Sequence, residues 1–201
     1  DELIDKYDIH HCGLTVVWPY YEYDDLVFWQ SRSALEKIYL FPPETVGVTK
    51  SHFLFGFDHV EPGQYVVITE AIFGAMTLQE QCVASGGAIM GKHQVSKLKL
   101  LYPKKGIIFA PDNDLAGKQS IITNYDLAIG AKYPMFYSIP SKVKMPNGKF
   151  TKDWNEVGET IGFGKPVKDM FAANIKPLNN ENLIKLRLEC AQMAVDKARL
   201  L

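Results

Sequence analysis

Short apolar segments alternate with helical patterns through the middle of the chain, and this alternation constrains the fold more than any other feature. The segments are YVVIT (65–69), QCVAS (81–85), GIIFA (106–110) and PMFYSIP (134–140). Apolar residues between them recur three or four positions apart, as on one face of a helix. A strand followed by a helix and another strand favours a parallel sheet with helices on both faces, so we predict an α/β fold. Ligands of such sheets bind at the carboxyl ends of the strands.

The two ends of the chain have different patterns. LTVVWPYYEYDDLVFWQSR (14–32) alternates aromatic and β-branched residues around a polar turn, which predicts an antiparallel hairpin. The last segment predicts an amphipathic helix that either docks on the domain or leads toward a partner. We therefore divide the chain into a smaller mixed α+β subdomain (1–60), an α/β domain (61–165) and a C-terminal helical segment (166–201). The apolar face of the last helix consists of Leu183, Leu186, Cys190 and Met193.

Composition and charge exclude several classes of protein. The chain has 201 residues, 47% of them hydrophobic, and a net charge of −1, so no overall field attracts it to nucleic acid. Any polyanion site must be local, and lysines concentrate at 91–105 and 141–152. No apolar run has the length of a membrane span and the acidic start is not a signal peptide, so we expect a cytoplasmic protein without a membrane partner.

The cysteines do not indicate a disulfide framework or a structural zinc ribbon. Cys12, Cys82 and Cys190 are widely spaced, and no CxxC pair occurs. His10 and His11 precede Cys12, but no second ligand pair follows at zinc-finger spacing, so we interpret this trio as incidental.

Acidic residues follow two of the predicted strands. Glu70 comes directly after YVVIT, and Asp112 and Asp114 follow GIIFA. Residues two apart in an extended chain point to the same side, so the two aspartates repel each other unless a cation lies between them. Oxygen ligands of this kind suit Mg²⁺. The structural alternative makes Asp114 the N-cap of the next helix and Asp112 a turn former.

Three segments together resemble the Toprim domain that primases, topoisomerases and some nucleases share. They are ITEAIFGAM (68–76), FAPDNDLAGKQS (109–120) and KDWNE (152–156). Glu70, Asp112 and Asp114 match the acidic residues of the family, and Ala116-Gly117 matches its small pair. The resemblance implies that these three acids are catalytic and hold Mg²⁺ or Mn²⁺, with Asp153 as a further metal ligand.

The segments before residue 58 resemble the basic subdomain that precedes the Toprim domain in phage and bacterial primases and that topoisomerases lack. They are VVWPYYEYDDLVFWQSRS (16–33), KIYLFPP (37–43) and TKSHFLFGFD (49–58). The resemblance implies a DNA primase catalytic core, a DNA-directed RNA polymerase that synthesises RNA primers on single-stranded DNA from ribonucleoside triphosphates. The chemistry would be metal-dependent nucleotidyl transfer.

Basic and aromatic residues are candidates for contacts with nucleic acid. The cationic candidates for the triphosphate or the template backbone are Arg32, Lys37, Lys50 and Lys118. The aromatic residues Phe28, Trp29 and Tyr39 either stack on bases or pack the hairpin. Further partners implied by the resemblance are a replicative helicase and a separate zinc-binding module.

Two departures from the family pattern leave other functions open. Ala71 stands where the family has glycine, and Gly74 stands where primases have an aspartate, so one metal ligand is missing. One alternative is a Toprim nuclease that hydrolyses a phosphodiester with the same acids. The other is a catalytically weak protein that binds nucleic acid or assembles replication complexes.

Overall fold

An antiparallel sheet of four strands forms the N-terminal part of the computed structural model, which describes residues 2–36, 38–43 and 47–199. A short helix, α1 (Glu2–Lys6), precedes the sheet. The strands follow one another in the order β1-β2-β3-β4. They are β1 (His10–Cys12), β2 (Thr15–Glu22), β3 (Asp25–Ser33) and β4 (Tyr39–Leu40).

Strands β2 and β3 form the predicted antiparallel hairpin. Tyr23 and Asp24 in its turn both have positive φ, 57° and 64°, as a two-residue turn between twisted strands requires. Neither residue is glycine, so this conformation is unfavourable by itself. Asp58 offsets the cost, because its carboxylate accepts hydrogen bonds from the backbone N–H groups of Tyr23 and Asp24, both at 2.9 Å. The turn is thereby fastened to the segment that leads into the second sheet.

The second sheet has five strands in the order β6-β5-β7-β8-β9. The pairs β6–β5, β5–β7 and β7–β8 are parallel, and β9 is antiparallel to β8. Every residue of β7 is buried, because helices cover both faces of the sheet. The predicted strands and the α/β class are confirmed. The strands are β5 (Tyr65–Thr69), β6 (Cys82–Ala84), β7 (Gly106–Ala110), β8 (Met135–Tyr137) and β9 (Lys176–Pro177).

Helices lie on both faces of this sheet. Val66 and Ile68 of β5 pack into one hydrophobic cluster, while Val67 between them packs into the other, because side chains alternate along a strand. The first cluster includes residues of α3, α4 and α7, and the second includes residues of α2, α5 and α6. The helices are α2 (Ile72–Leu78), α3 (Lys92–Leu100), α4 (Leu115–Ala128), α5 (Trp154–Ile161), α6 (Lys165–Ala173) and α7 (Asn180–Ala198).

The antiparallel sheet shares a core with the parallel one. Its buried Trp18, Tyr20 and Phe28 belong to the second cluster, together with Val67 and Ile108 of the parallel sheet. Tyr20 and Phe28 also pack ring against ring, with centroids 5.3 Å apart. The shared core places the end of β3 that carries Arg32 beside the carboxyl ends of strands β5 and β7. The boundaries that we predict at residues 60 and 165 remain predictions.

The C-terminal helix packs on the first cluster. Leu183, Leu186 and Cys190 of α7 are buried, which agrees with the predicted apolar face. Lys118 of α4 and Glu189 of α7 form an ion pair at 2.7 Å that joins the two helices. None of the helices within residues 2–36, 38–43 and 47–199 has the length and apolar character needed to cross a membrane.

Candidate active site

The acidic residues follow neighbouring strands of the parallel sheet. β5 pairs with β7 through Thr69 and Ala110, which are the last residues of the two strands. Glu70 and Asp112 therefore emerge at the same edge of the sheet, which is its carboxyl end. This edge is where the parallel topology predicts a ligand.

The loop after β7 separates the roles of its two aspartates. Asp114 is the N-cap of α4, and its carboxylate accepts a hydrogen bond from the N–H of Gly117 at 2.8 Å. Asp114 therefore has the N-cap role that was one of the two alternatives predicted for it. Gly117 lies so close to the loop that a Cβ there would be 2.1 Å from the carbonyl oxygen of Asp112. The glycine of the small pair is therefore required by the path of the backbone that carries Asp112.

A third segment joins this edge from the start of α5. Asp153 is the N-cap of α5 and accepts a hydrogen bond from the N–H of Glu156 at 2.8 Å. The N–H of Asn113 donates to the carbonyl oxygen of Lys152 at 2.6 Å, so the loop after β7 is attached directly to this segment. Glu156 in turn accepts a hydrogen bond from the N–H of Lys152 at 2.7 Å. The three predicted acidic motifs therefore meet at one site.

Burial and like charge make ionisation of these acids unfavourable. Asp112 is partly buried, and this burial, followed by the charges of Glu70, Asp153 and Asp114, raises its pKa to about 7. Burial and the charge of Asp114 raise the pKa of Glu70 as well. Negative charge is therefore concentrated here, which is the condition that a cation would relieve.

Two lysines offset part of this charge. Lys152 lowers the pKa of both Asp112 and Glu70, and Lys50 lowers that of Glu70. Lys50 is one of the predicted binding residues, whereas no role was predicted for Lys152. The signal for it was present, since Lys152 is the first residue of the Lys-Asp motif in which only Asp153 was given a role.

The donor set suits Mg²⁺ with few direct protein ligands. In the described part of the chain, no three His, Cys, Asp or Glu side chains are gathered closely enough to hold a metal ion together. Mg²⁺ usually binds one or two carboxylates and completes its shell with water and substrate phosphates. Asp112 and Glu70 meet that requirement, whereas Asp114 and Asp153 each use a carboxylate oxygen to cap a helix. The residues therefore fit a magnesium ion that is shared with a substrate.

A cleft of about 370 Å³ opens over these acids, between the parallel sheet and the antiparallel one. Arg32 of β3 reaches it, with its guanidinium 5.5 Å from the ring centre of Tyr39 and 5.9 Å from that of Phe73. Such distances allow cation–π contacts. The cleft is lined by Arg32, Tyr39, Phe73, Glu70, Asp112, Lys152 and Asp153, among other residues.

A second groove of about 310 Å³ has some of the same walls and continues toward the hairpin. Lys50 lines it, and its ammonium lies 5.7 Å from the ring centre of Phe41. Glu70, Tyr39 and Phe73 line both spaces. An extended ligand that entered the groove would therefore reach the acids.

Among the other predicted contacts that the structure describes, only Tyr39 lies beside the acids. Lys118 is absent from the described lining of the cleft and of this groove, and its ammonium pairs with Glu189 of α7. Lys37 lies outside the described residues. Phe28 is buried among other aromatic rings and Trp29 is half-buried, so of the three aromatic candidates only Tyr39 is both exposed and beside the acids.

Both departures from the family pattern lie at the cleft. Ala71 is the exposed N-cap of α2, and Gly74 lies in the first turn of that helix. A Cβ at Gly74 would be 3.1 Å from the Cβ of Thr69, which leaves little room for a larger residue. His10, His11 and Cys12 form the exposed strand β1 and do not line the cleft.

Solved structures with a similar fold come from primases. The DnaG catalytic core has a TM-score of 0.67 and 17% identity, over 88% of this chain and 69% of that one. The RNA polymerase domain of Mycobacterium tuberculosis primase DnaG gives 0.64 and 22%, over 82% and 56% of the two chains. The primase fragment of the bacteriophage T7 primase-helicase protein gives 0.63 and 19%, over 85% and 70%.

Similarity of sequence is much weaker than similarity of fold. No protein-family model and no curated protein matches this sequence. At identities of 17 to 22%, the structural likeness concerns the fold. The predicted primase-type α/β architecture is therefore confirmed: the chain has the fold of primase catalytic cores.

Proposed function

We propose that this chain is the catalytic core of a DNA primase, which synthesises RNA primers on single-stranded DNA by metal-dependent nucleotidyl transfer. The observation that carries the proposal is the pairing of Glu70 with Asp112 at adjacent strand ends, where burial and like charge raise the pKa of both. Lys152, Lys50 and Arg32 surround this pair with positive charge. The fold shared with primases supports the same assignment.

Glu70 and Asp112 are the residues that would hold Mg²⁺ or Mn²⁺ in this core. A divalent ion, when bound, supplies positive charge that stabilises the attacking and leaving oxygens of a phosphoryl transfer. Asp114 and Asp153 add negative charge to the site and fix the two loops through their caps. The alternative role for Glu70 is to accept the proton of a primer hydroxyl, and burial makes it a stronger base by raising its pKa.

Arg32 and Lys50 would bind the phosphates of the template or of the incoming ribonucleoside triphosphate. Each lies beside an aromatic ring, Tyr39 and Phe41 respectively, so that a phosphate and a base can be bound side by side. Lys37 stays a predicted contact. We assign Lys118 to the packing of α7 instead, because Glu189 already neutralises it.

The proposal extends to partners and location. One similar structure is a fragment of a primase-helicase protein, which supports a replicative helicase as a partner. This chain covers 56 to 70% of the similar chains. A separate zinc-binding module is the other partner that we propose. A cytoplasmic protein that does not bind membranes would suit these partners.

Incubation with single-stranded DNA, the four ribonucleoside triphosphates and Mg²⁺ or Mn²⁺ tests the proposal. We expect short oligoribonucleotides whose appearance requires the template and is stopped by a chelator. Cleaved DNA would instead establish a Toprim nuclease. Bound but unchanged DNA, with no product over a range of templates, would favour the binding or assembly protein.

A further inference from the structure

Helix α7 has a second apolar stripe that is not packed on the domain. Ile184, Leu188 and Val195 have exposed fractions of 57%, 65% and 46%. Ala191 and Ala198 continue the stripe and are exposed as well. At 100° per residue, the stripe lies roughly 140° around the helix from the face that packs on α4. The helix therefore has one apolar face buried in the domain and a separate one in solvent.

The spacing of the stripe is that of a coiled-coil seam. Its residues are four, three, four and three positions apart, which is the a/d pattern of a heptad repeat with Leu188 and Val195 at a. Ile184, Ala191 and Ala198 then occupy d. A stripe that served only to pack on a globular domain would need no such regularity on its solvent side.

The positions that flank the seam have one sign of charge. In a heptad the e and g residues face the partner helix and select it by charge. Within the described helix and its C-cap, these positions carry three cations, three uncharged residues and no acid. They are Asn180, Lys185, Arg187, Gln192, Ala194 and Arg199.

We propose that this seam binds an amphipathic helix of a separate protein, one that carries Asp or Glu beside its own Leu or Ile seam. A second copy of this chain fits less well, because it would oppose the flanking cations only with more cations, amides or alanine. Glu181 occupies the first a position of the same register and forms an exposed ion pair with Lys185 at 2.6 Å. Exposed pairs of this kind are weak, so an acidic partner can replace it.

Two synthetic helical peptides test the proposal against the whole chain. Both have Leu and Ile at a and d and a fluorescent label, but one has Glu at every e and g position and the other has Lys. Like charges along each peptide keep it monomeric. We expect fluorescence anisotropy to show binding of the Glu peptide that weakens with salt, and at least about tenfold weaker binding of the Lys peptide.

Variants locate the binding to the seam. Leu188→Glu removes the most exposed of the three large apolar residues of the stripe and should weaken binding of the Glu peptide by about tenfold. Leu100→Glu is the matched control, since Leu100 ends α3 with a similar exposed fraction of 61%. It should bind like the wild type, and thermal melting establishes that both variants are folded.

Several outcomes would overturn the inference. Equal binding of the Glu and Lys peptides, no binding of either, or equal loss in both leucine variants would each remove it. Sedimentation that shows self-association of the chain, abolished by Leu188→Glu, would assign the seam to a second copy instead. None of these readouts depends on primer synthesis, so failure here leaves the proposed catalytic function untouched.

Discussion

The two ends of the parallel sheet differ in how their acidic residues are surrounded. At the carboxyl end, Glu70 and Asp112 lie among like charges that raise their pKa values. At the amino end, a larger pocket of about 510 Å³ has a mainly apolar wall, and the acids on its rim are paired with lysines. Glu80 pairs with Lys168 at 3.0 Å and Asp169 with Lys165 at 2.5 Å.

This contrast shows which feature identifies a functional site in a fold that many functions share: the charge of a site or the size of a pocket. Pocket size alone would select the amino end of the sheet. Charge that is only partly compensated selects the carboxyl end, because a protein that only needed to fold would pair or expose these carboxylates. The arrangement costs stability in the absence of a ligand, so we expect substitutions at the two ends to have opposite consequences.

The largest expected effect compares one acid from each end. Asp112→Asn should reduce primer synthesis by at least about a hundredfold, since the amide cannot replace the carboxylate in charge stabilisation. The same change should raise the melting temperature in chelator at pH 8, because it removes repulsion. Glu80→Gln should leave synthesis unchanged. Primer assays measure synthesis and thermal melts measure stability. If Glu80→Gln impaired synthesis as much as Asp112→Asn does, the proposed contrast between the two ends of the sheet would be wrong.

A smaller but still large effect concerns the backbone under Asp112. Gly117→Ala places a Cβ 2.1 Å from the carbonyl oxygen of Asp112, so the loop must move. We expect a loss of about 1–3 kcal/mol in the free energy of unfolding, despite the better helix propensity of alanine, and impaired synthesis. Urea denaturation gives the first quantity. Gly130→Ala is the control, since nothing lies within 4 Å of a Cβ there; equal stability of the two variants would show that the loop adapts without strain.

The pH dependence of stability should differ between wild type and Asp112→Asn. The pKa of Asp112 is about 7 in the folded protein and about 3.9 when unfolded, so between these values the folded state binds more protons. This residue therefore disfavours unfolding most at low pH, and that contribution is lost as the pH rises from about 4 to about 7. Melting in chelator across this window should show the wild type losing stability relative to the variant. A constant difference would contradict the raised pKa.

The smallest effect belongs to the amino end. Lys168→Gln breaks the pair with Glu80, in which the lysine side chain is 34% exposed and the glutamate 73%. We expect a loss of no more than about 1 kcal/mol in the free energy of unfolding, reduced further by salt, and no change in synthesis. A larger loss would mean that this end also depends on charge, which would weaken the contrast between the two ends.

The sequence predicted the fold well where periodicity was clear. YVVIT and GIIFA are continuous apolar runs because both faces of their strands are covered, and the structure confirms both as parallel neighbours. The hairpin was predicted from alternation, but the role of Asp58 was not. Its contact with the turn joins residues far apart in sequence, and no local pattern encodes it.

The acids of the candidate site were named from the sequence, but part of their basic surroundings was not. Glu70 and Asp112 follow strands, so topology alone brought them together. Lys152 was overlooked although it begins the Lys-Asp motif, and its effect on Glu70 and Asp112 became evident only from the path of the segment before α5. Lys118 looked like a free cation beside the acidic loop, and only the packing of α7 on α4 showed its partner Glu189.

The hydrogen bond between Asn113 and Lys152 has a consequence for how the protein reaches its active form. It joins a loop of the central strand to a segment that follows the whole of α4 and β8. Contacts between distant segments form only after the intervening chain has closed, so they are gained late in folding. Newly made chains would therefore acquire their helices, whose hydrogen bonds are local, before they acquire a functional cleft. In a refolding experiment, recovery of primer synthesis should lag behind recovery of the far-ultraviolet circular dichroism signal.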